Sequence, residues 1–145
     1  MPDTVPYDFD LFVIGGGSGG VRCARIAAGH GARVGIAGAK AWGGTCVNVG
    51  CVQKKLMVMA AEYGTMPAEA RGFGWEFAPG RHDWQALIAN KNTEIARLNG
   101  IYSRLLEGAG VRLFEASATF LDAHRLDVGG RIVSAERIVI ATGGR

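Results

Sequence analysis

The sequence predicts an α/β domain in which a parallel sheet is joined to a small antiparallel β-meander, and three observations carry that prediction. An apolar run, a glycine cluster, an amphipathic stretch and a second apolar run succeed one another in FDLFVIGGGSGGVRCARIAAGHGARVGIAG. A long segment of helical periodicity follows further on. The last third alternates short apolar runs with turn residues and ends in RIVIATGGR. A chain of 145 residues suits one domain with a sizeable core.

The opening segment reads as strand, turn, helix, strand. Within its turn Gly15, Gly17 and Gly20 satisfy G-x-G-x-x-G. The motif leaves a strand and opens a helix, which is the context of a dinucleotide fingerprint, and it places phosphate on the helix N-terminus. A glycine-rich connection without a ligand is the alternative. Ala24, Ala27 and Ala28 let the helix lie close to the sheet. Dinucleotide folds commonly carry Asp or Glu at the end of the second strand, where it holds the ribose hydroxyls. Gly38 stands there instead, and restoring a carboxylate by Gly38→Glu is expected to tighten retention of the nucleotide.

GGTCVNVGCVQKK places Cys46 and Cys51 in a glycine-rich turn. Residues five apart on a regular helix have Cα atoms about 8 to 9 Å apart, too far for a disulfide. A pair that closes therefore needs Cys46 in a distorted turn, and Gly43, Gly44 and Gly50 supply the backbone freedom for one. Cys51 would then begin the helix CVQKKLMVMAAEYG, where the helix dipole and Lys54 and Lys55 favour a reactive thiol. Spacing alone leaves three readings open: buried small hydrophobes, a redox pair, or metal ligands. The metal reading lacks a third and fourth ligand at suitable spacing, since His30, His82 and His124 are scattered.

GTMPAEARGFGWEFAPGRHD reads as a surface connection. Trp84, Leu87, Ile88, Ile95, Leu98, Tyr102 and Leu105 recur at helical spacing, predicting one long amphipathic helix closed by Gly108 or Gly110. VGGR then signals a hairpin. The final strand runs into glycines and stops, as at a cut junction.

With 48% apolar and 20% charged residues the chain reads as globular. A net charge of +3 with dispersed basic residues points to no nucleic acid. No apolar run reaches the roughly 18 residues of a membrane span, and MPDTVPYDFD lacks the features of a signal peptide. Three cysteines, an odd count, suit a reducing compartment, so the expected location is cytoplasmic.

VIGGGSGG, GGTCVNVGCV followed by two lysines, and IVIATGGR, in this order, resemble the N-terminal part of the flavin-dependent pyridine nucleotide-disulfide oxidoreductases, and within them the glutathione reductases. The resemblance covers essentially the whole chain. It implies a Rossmann-like FAD-binding domain with its redox-disulfide helix, apparently truncated. NADPH would serve the complete enzyme, a homodimer that reduces glutathione disulfide. Gly15, Gly17, Ser18 and Gly20 would hold the pyrophosphate, with Gly44 and Thr45 also facing FAD. Ala118 would meet the adenine through its main chain, while Ala141, Thr142 and Gly143 would lie on the flavin side. Cys46 resembles the interchange thiol that attacks substrate, Cys51 the thiol facing the flavin, and Lys54, with Lys55 as second choice, the lysine near the flavin N5 edge. Arg25 and Tyr102 fall at positions that contact glutathione. The NADPH and interface domains are not encoded in these residues, so the 145-residue chain alone is expected to be inactive. Dihydrolipoyl dehydrogenase, mercuric or trypanothione reductase and a non-catalytic FAD-binding fragment are the alternatives. Gln53 departs from the usual proline and Met59 from a common aromatic.

Overall fold

The computed structural model describes residues 7–78 and 80–144. Strand β1 (Phe9–Ile14), helix α1 (Ser18–Gly29) and strand β2 (Val34–Ala37) form as the periodicity predicts. All four residues of β2 are buried, as a strand covered on both faces requires. By contacts the chain divides into two compact units, one comprising residues up to Gly44 and from Leu98 onward, the other Thr45–Arg97.

The first unit carries the sheet. Its later strands are β3 (Arg112–Phe114), β4 (Ala118–Phe120), β5 (Arg125–Val128) and β6 (Arg131–Ile140), and the six are ordered β3-β2-β1-β6-β5-β4. The pairings β3 with β2, β2 with β1, and β1 with β6 are parallel, while β6 with β5 and β5 with β4 are antiparallel. The meander is thus fused to the parallel sheet through β6, whose first half pairs with β5 and whose second half pairs with β1. Gly129 and Gly130 turn the hairpin with φ of +61° and +86°, a left-handed pair that glycine adopts without a Cβ clash. The backbone N–H of Gly130 donates to Asp127 Oδ1 at 2.7 Å.

Two apolar clusters form the core. One gathers Phe9, Phe12, Ile14, Leu126 and Val133; the other packs Val13, Val34 and Ile36 against Val21 and Ala24 of α1, with Trp42, Leu106 and Val111. Ala27 and Ala28 lie against this second cluster, as their small size predicts. Both clusters depend on successive strand residues facing opposite sides.

The long helix α4 (Trp84–Gly108) is closed by Gly110 at φ +79°, where the Gly110 N–H donates to the Glu107 carbonyl and the Val111 N–H to the Leu106 carbonyl. Its apolar stripe is phased differently from the expectation. Leu106 is buried, whereas Leu105 and Trp84 are exposed, because α4 packs the residue four beyond Tyr102 and not the one three beyond.

In the second unit, α3 (Cys51–Ala70) runs past Gly64 and through Pro67, correcting the expected surface connection. Proline there removes one backbone bond, to the carbonyl of exposed Tyr63, while Met66, Ala68, Glu69 and Ala70 favour helix. A 3₁₀ turn over Arg71–Phe73 and left-handed Gly74 end it. Among the described residues no helix is long and apolar enough to cross a membrane.

Candidate functional site

Eight of the residues expected at a dinucleotide cradle lie around the ends of β1 and β6 in the first unit. The Gly15 N–H donates to the Ala37 carbonyl and the Ala141 N–H to the Ile14 carbonyl, both at 2.8 Å, so the three strand ends are laced together where the chain turns. Gly15 sits at φ +121°, and a Cβ on it would come within 2.2 Å of the Ala141 carbonyl oxygen. A Cβ on Gly20 would come within 1.9 Å of the Gly15 carbonyl oxygen, so glycine lets α1 press on the turn. Gly44, at φ +67°, has no room for a Cβ beside Gly17 Cα. Ser18 opens α1 on the exposed side, and its first turn carries no acid and no side-chain cap. Thr142 and Gly143 follow Ala141 and are exposed.

Gly17 differs from its neighbours. A Cβ there would make only an ordinary contact, 3.7 Å from Gly44 Cα. The protein's own packing does not call for glycine at this N-cap, while close approach of a pyrophosphate does. The residues present therefore fit a dinucleotide at the α1 N-terminus.

Three other expected residues lie apart from the turn. Ala118 is on β4, at the far edge of the sheet, packed against the first apolar cluster and paired with Val128. Arg25 is exposed on α1. Tyr102 is half-buried against the second cluster, in the position of a core aromatic.

In the second unit the redox candidates occupy two successive helices. Cys46 lies in the short helix α2 (Gly44–Val49), and Cys51 is the first residue of α3. Gly50 separates them with φ −136° and ψ −120°. A Cβ at Gly50 would lie 2.9 Å from the Thr45 carbonyl oxygen and 3.2 Å from Cys46 Cα. Glycine thus lets the chain double back at position 50, while Cys46 itself lies in the helix α2 and not in the distorted turn expected for it. No disulfide joins the cysteines. The Cys51 thiol is within hydrogen-bonding reach of Cys46 and, with partial burial, raises the Cys46 thiol above its ordinary value; the Lys54 charge opposes this without cancelling it. Cys51 is exposed and Cys46 half-buried.

Alkylation of Cys46 in the reduced protein is accordingly expected to need a higher pH than an ordinary thiol, since only the thiolate reacts. Cys51→Ala removes the main cause of the shift, so the midpoint should move to lower pH. Rates followed by mass spectrometry across pH check this, and an unmoved midpoint would show that the two thiols do not share a proton.

Lys55, the second choice, and not Lys54, lines a cleft of about 300 Å³ with Cys51, Val52, Leu56 and Glu94. The proline that the sequence lacks is replaced by bonds. Gln53 Nε2 donates to the Asn48 carbonyl, and Gln53 Oε1 accepts from Lys91 Nζ at 3.1 Å, tying α2, α3 and α4 of this unit together. No local sequence signal marks Gln53 or Lys91 for that role. Among the described residues no cluster of three His, Cys, Asp or Glu side chains could hold a metal.

The expectation for Gly38→Glu does not survive the geometry. A Cβ at Gly38 would lie 2.9 Å from the ring of Trp42, which is 3% exposed. The same ring abuts Gly16, where a Cβ would lie 2.6 Å from it. Trp42 was not singled out by the sequence, because it meets glycines 4 and 26 residues away that carry no side-chain pattern.

Residues 9–145 match the sequence profile described as "Pyridine nucleotide-disulphide oxidoreductase". The chain is 57% identical over 139 residues to a glutathione reductase of Burkholderia cepacia, a match covering 96% of this chain and 31% of the relative. A chloroplastic/mitochondrial glutathione reductase of Pisum sativum is 46% identical, covering 96% and 27%. A thioredoxin reductase of Emiliania huxleyi is 44% identical, covering 94% and 30%. The chain therefore spans about 30% of the length of these curated relatives.

Proposed function

The chain belongs to the pyridine nucleotide-disulphide oxidoreductase family, and on that premise we propose that it supplies the FAD cradle and redox-active cysteine pair of a cytoplasmic, NADPH-dependent reductase of glutathione disulfide. The observation that carries this reading is the bend at Gly50, which doubles the chain back between Cys46 and Cys51 so that Cys51 acts directly on the Cys46 thiol. Bound FAD would supply two-electron transfer between the nicotinamide and the cysteine disulfide. Gly15, Gly17, Ser18 and Gly20 would hold its pyrophosphate, with Gly44 and Thr45 also facing FAD, Ala141, Thr142 and Gly143 would lie on its flavin side, and the Ala118 main chain would meet its adenine.

In the reduced pair the Cys46 thiolate attacks one sulfur of glutathione disulfide, forming a mixed disulfide and releasing one glutathione thiolate. The Cys51 thiolate then attacks the Cys46 sulfur, closing the internal disulfide and releasing the second. Lys54 favours the thiolate form at Cys46. Arg25 and Tyr102 are assigned to the glutathione side by resemblance, as is assembly of the complete enzyme as a homodimer. The relatives named glutathione reductase support this substrate, and the odd count of three cysteines supports a reducing compartment.

The flavin half is tested at Gly17. Gly17→Ala is expected to melt with the parent protein, since its Cβ fits, yet to lose at least about tenfold in FAD affinity through lost close approach to phosphate. Flavin fluorescence titration beside a melting curve separates the two. Parental FAD affinity in the variant would remove the cradle from this turn.

A further inference from the structure

The position that would hold the ribose in a dinucleotide fold is filled here from another direction. Gly38 follows the last residue of β2, where an acidic side chain normally reads the ribose hydroxyls. The space in front of it belongs to Trp42. A Cβ on Gly38 would lie 2.9 Å from Cζ3 and 3.1 Å from Cη2 of the indole, and a Cβ on Gly16 only 2.6 Å from Cε3. The ring cannot easily yield. It is packed in the cluster of Val13, Val21, Ala24, Ile36 and Leu106, and its backbone carbonyl accepts a 2.7 Å hydrogen bond from Asn99 Nδ2 of α4. Gly16, Gly38 and Trp42 form one interlocking set, in which two missing side chains make room for one large one.

We propose that Trp42 is a specificity-determining residue: its indole takes the room that a carboxylate-bearing side chain at position 38 would need, so the nucleotide site does not distinguish a ribose 2′-hydroxyl from a 2′-deoxy sugar on the adenosine side. This rests on the FAD reading above. The pyrophosphate contacts at the α1 N-terminus then carry the adenosine half, with no carboxylate at position 38 to accept a sugar hydroxyl.

The test compares FAD with the analogue whose adenosine lacks the 2′-hydroxyl, by fluorescence titration of the protein. The expected ratio of dissociation constants is below about 3, whereas a carboxylate accepting that hydroxyl would give about tenfold or more. A ratio of tenfold or more overturns the proposal. Failure of both compounds to bind overturns the FAD reading and the proposal with it. A second measurement concerns the interlock and needs no ligand. Gly38→Glu should lower Tm clearly, and Trp42→Leu added to it should recover most of that loss. Gly38→Glu melting with the parent would show that Trp42 does not guard the position and would overturn the proposal.

Discussion

Replacing Gly20 with alanine is expected to destabilise the first unit by at least about 3 kcal/mol, a fall in Tm of roughly 10 °C. The new Cβ would sit 1.9 Å from the Gly15 carbonyl oxygen and 3.2 Å from a methyl of Val13. The first obstacle is backbone, so no rotamer change relieves it. Either α1 moves off the sheet, opening the cluster around Val21 and Ala24, or Gly15 moves and breaks its bond to the Ala37 carbonyl. Relief by either route sacrifices contacts that the motif exists to make. Gly19→Ala is the control, because nothing lies within 4 Å of its Cβ and alanine is the better helix former. Chemical denaturation of the two variants checks the contrast. Equal stability would mean that α1 stands further from the turn than the structure places it.

The same comparison shows what a sequence motif conveys and what it leaves out. G-x-G-x-x-G announced the turn, and the structure separates its glycines: Gly15 and Gly20 have no room for a Cβ against the protein's own backbone, while a Cβ on Gly17 would make only an ordinary contact and is free for the pyrophosphate role proposed above. Spacing along the chain cannot make that division, since it depends on which backbone lies opposite each Cα. The parallel sheet was legible because β1 and β2 are apolar runs broken only by Asp10 near the start of β1, and the hairpin because Gly129–Gly130 admits few alternatives. The length of α3 was less legible, because Gly64 and Pro67 are read as breakers locally while the surrounding alanines, glutamates and methionines outweigh them.

Within the candidate site, elementary geometry set the condition for the cysteines to approach: an unbroken helix forbids it, and Gly50 between them breaks the helix. What holds the bend did not follow. Gln53 reaches the Asn48 carbonyl and receives Lys91 from 38 residues away. The block at Gly38 is equally non-local, since an absent acid reads as a defect until Trp42 is seen to occupy its place. Side-chain contacts between distant segments are the part of the fold that periodicity cannot encode.

Reduced protein treated with glutathione disulfide is expected to release two glutathione molecules per chain and form the Cys46–Cys51 disulfide, whereas Cys51→Ala should release one and stop with glutathione bound to Cys46. The second step is intramolecular, so the bend at Gly50 gives it a large effective concentration of thiol, and removing Cys51 abolishes it. The first step becomes easier in this variant, because the neighbour that raises the Cys46 thiol is gone and the Lys54 charge remains. Cys46→Ala is expected to lose the attack almost completely under matched conditions, though Cys51 is exposed. This expectation sets the proposed division of roles against simple accessibility, and so it can fail cleanly. Mass spectrometry of the trapped adducts, with glutathione counted by a thiol reagent, reads the outcome. Should Cys46→Ala accumulate the adduct on Cys51 while Cys51→Ala stays unmodified, exposure governs the reaction and the two roles are reversed. Should the unsubstituted protein form no internal disulfide, the close approach at Gly50 serves packing alone and the redox assignment falls.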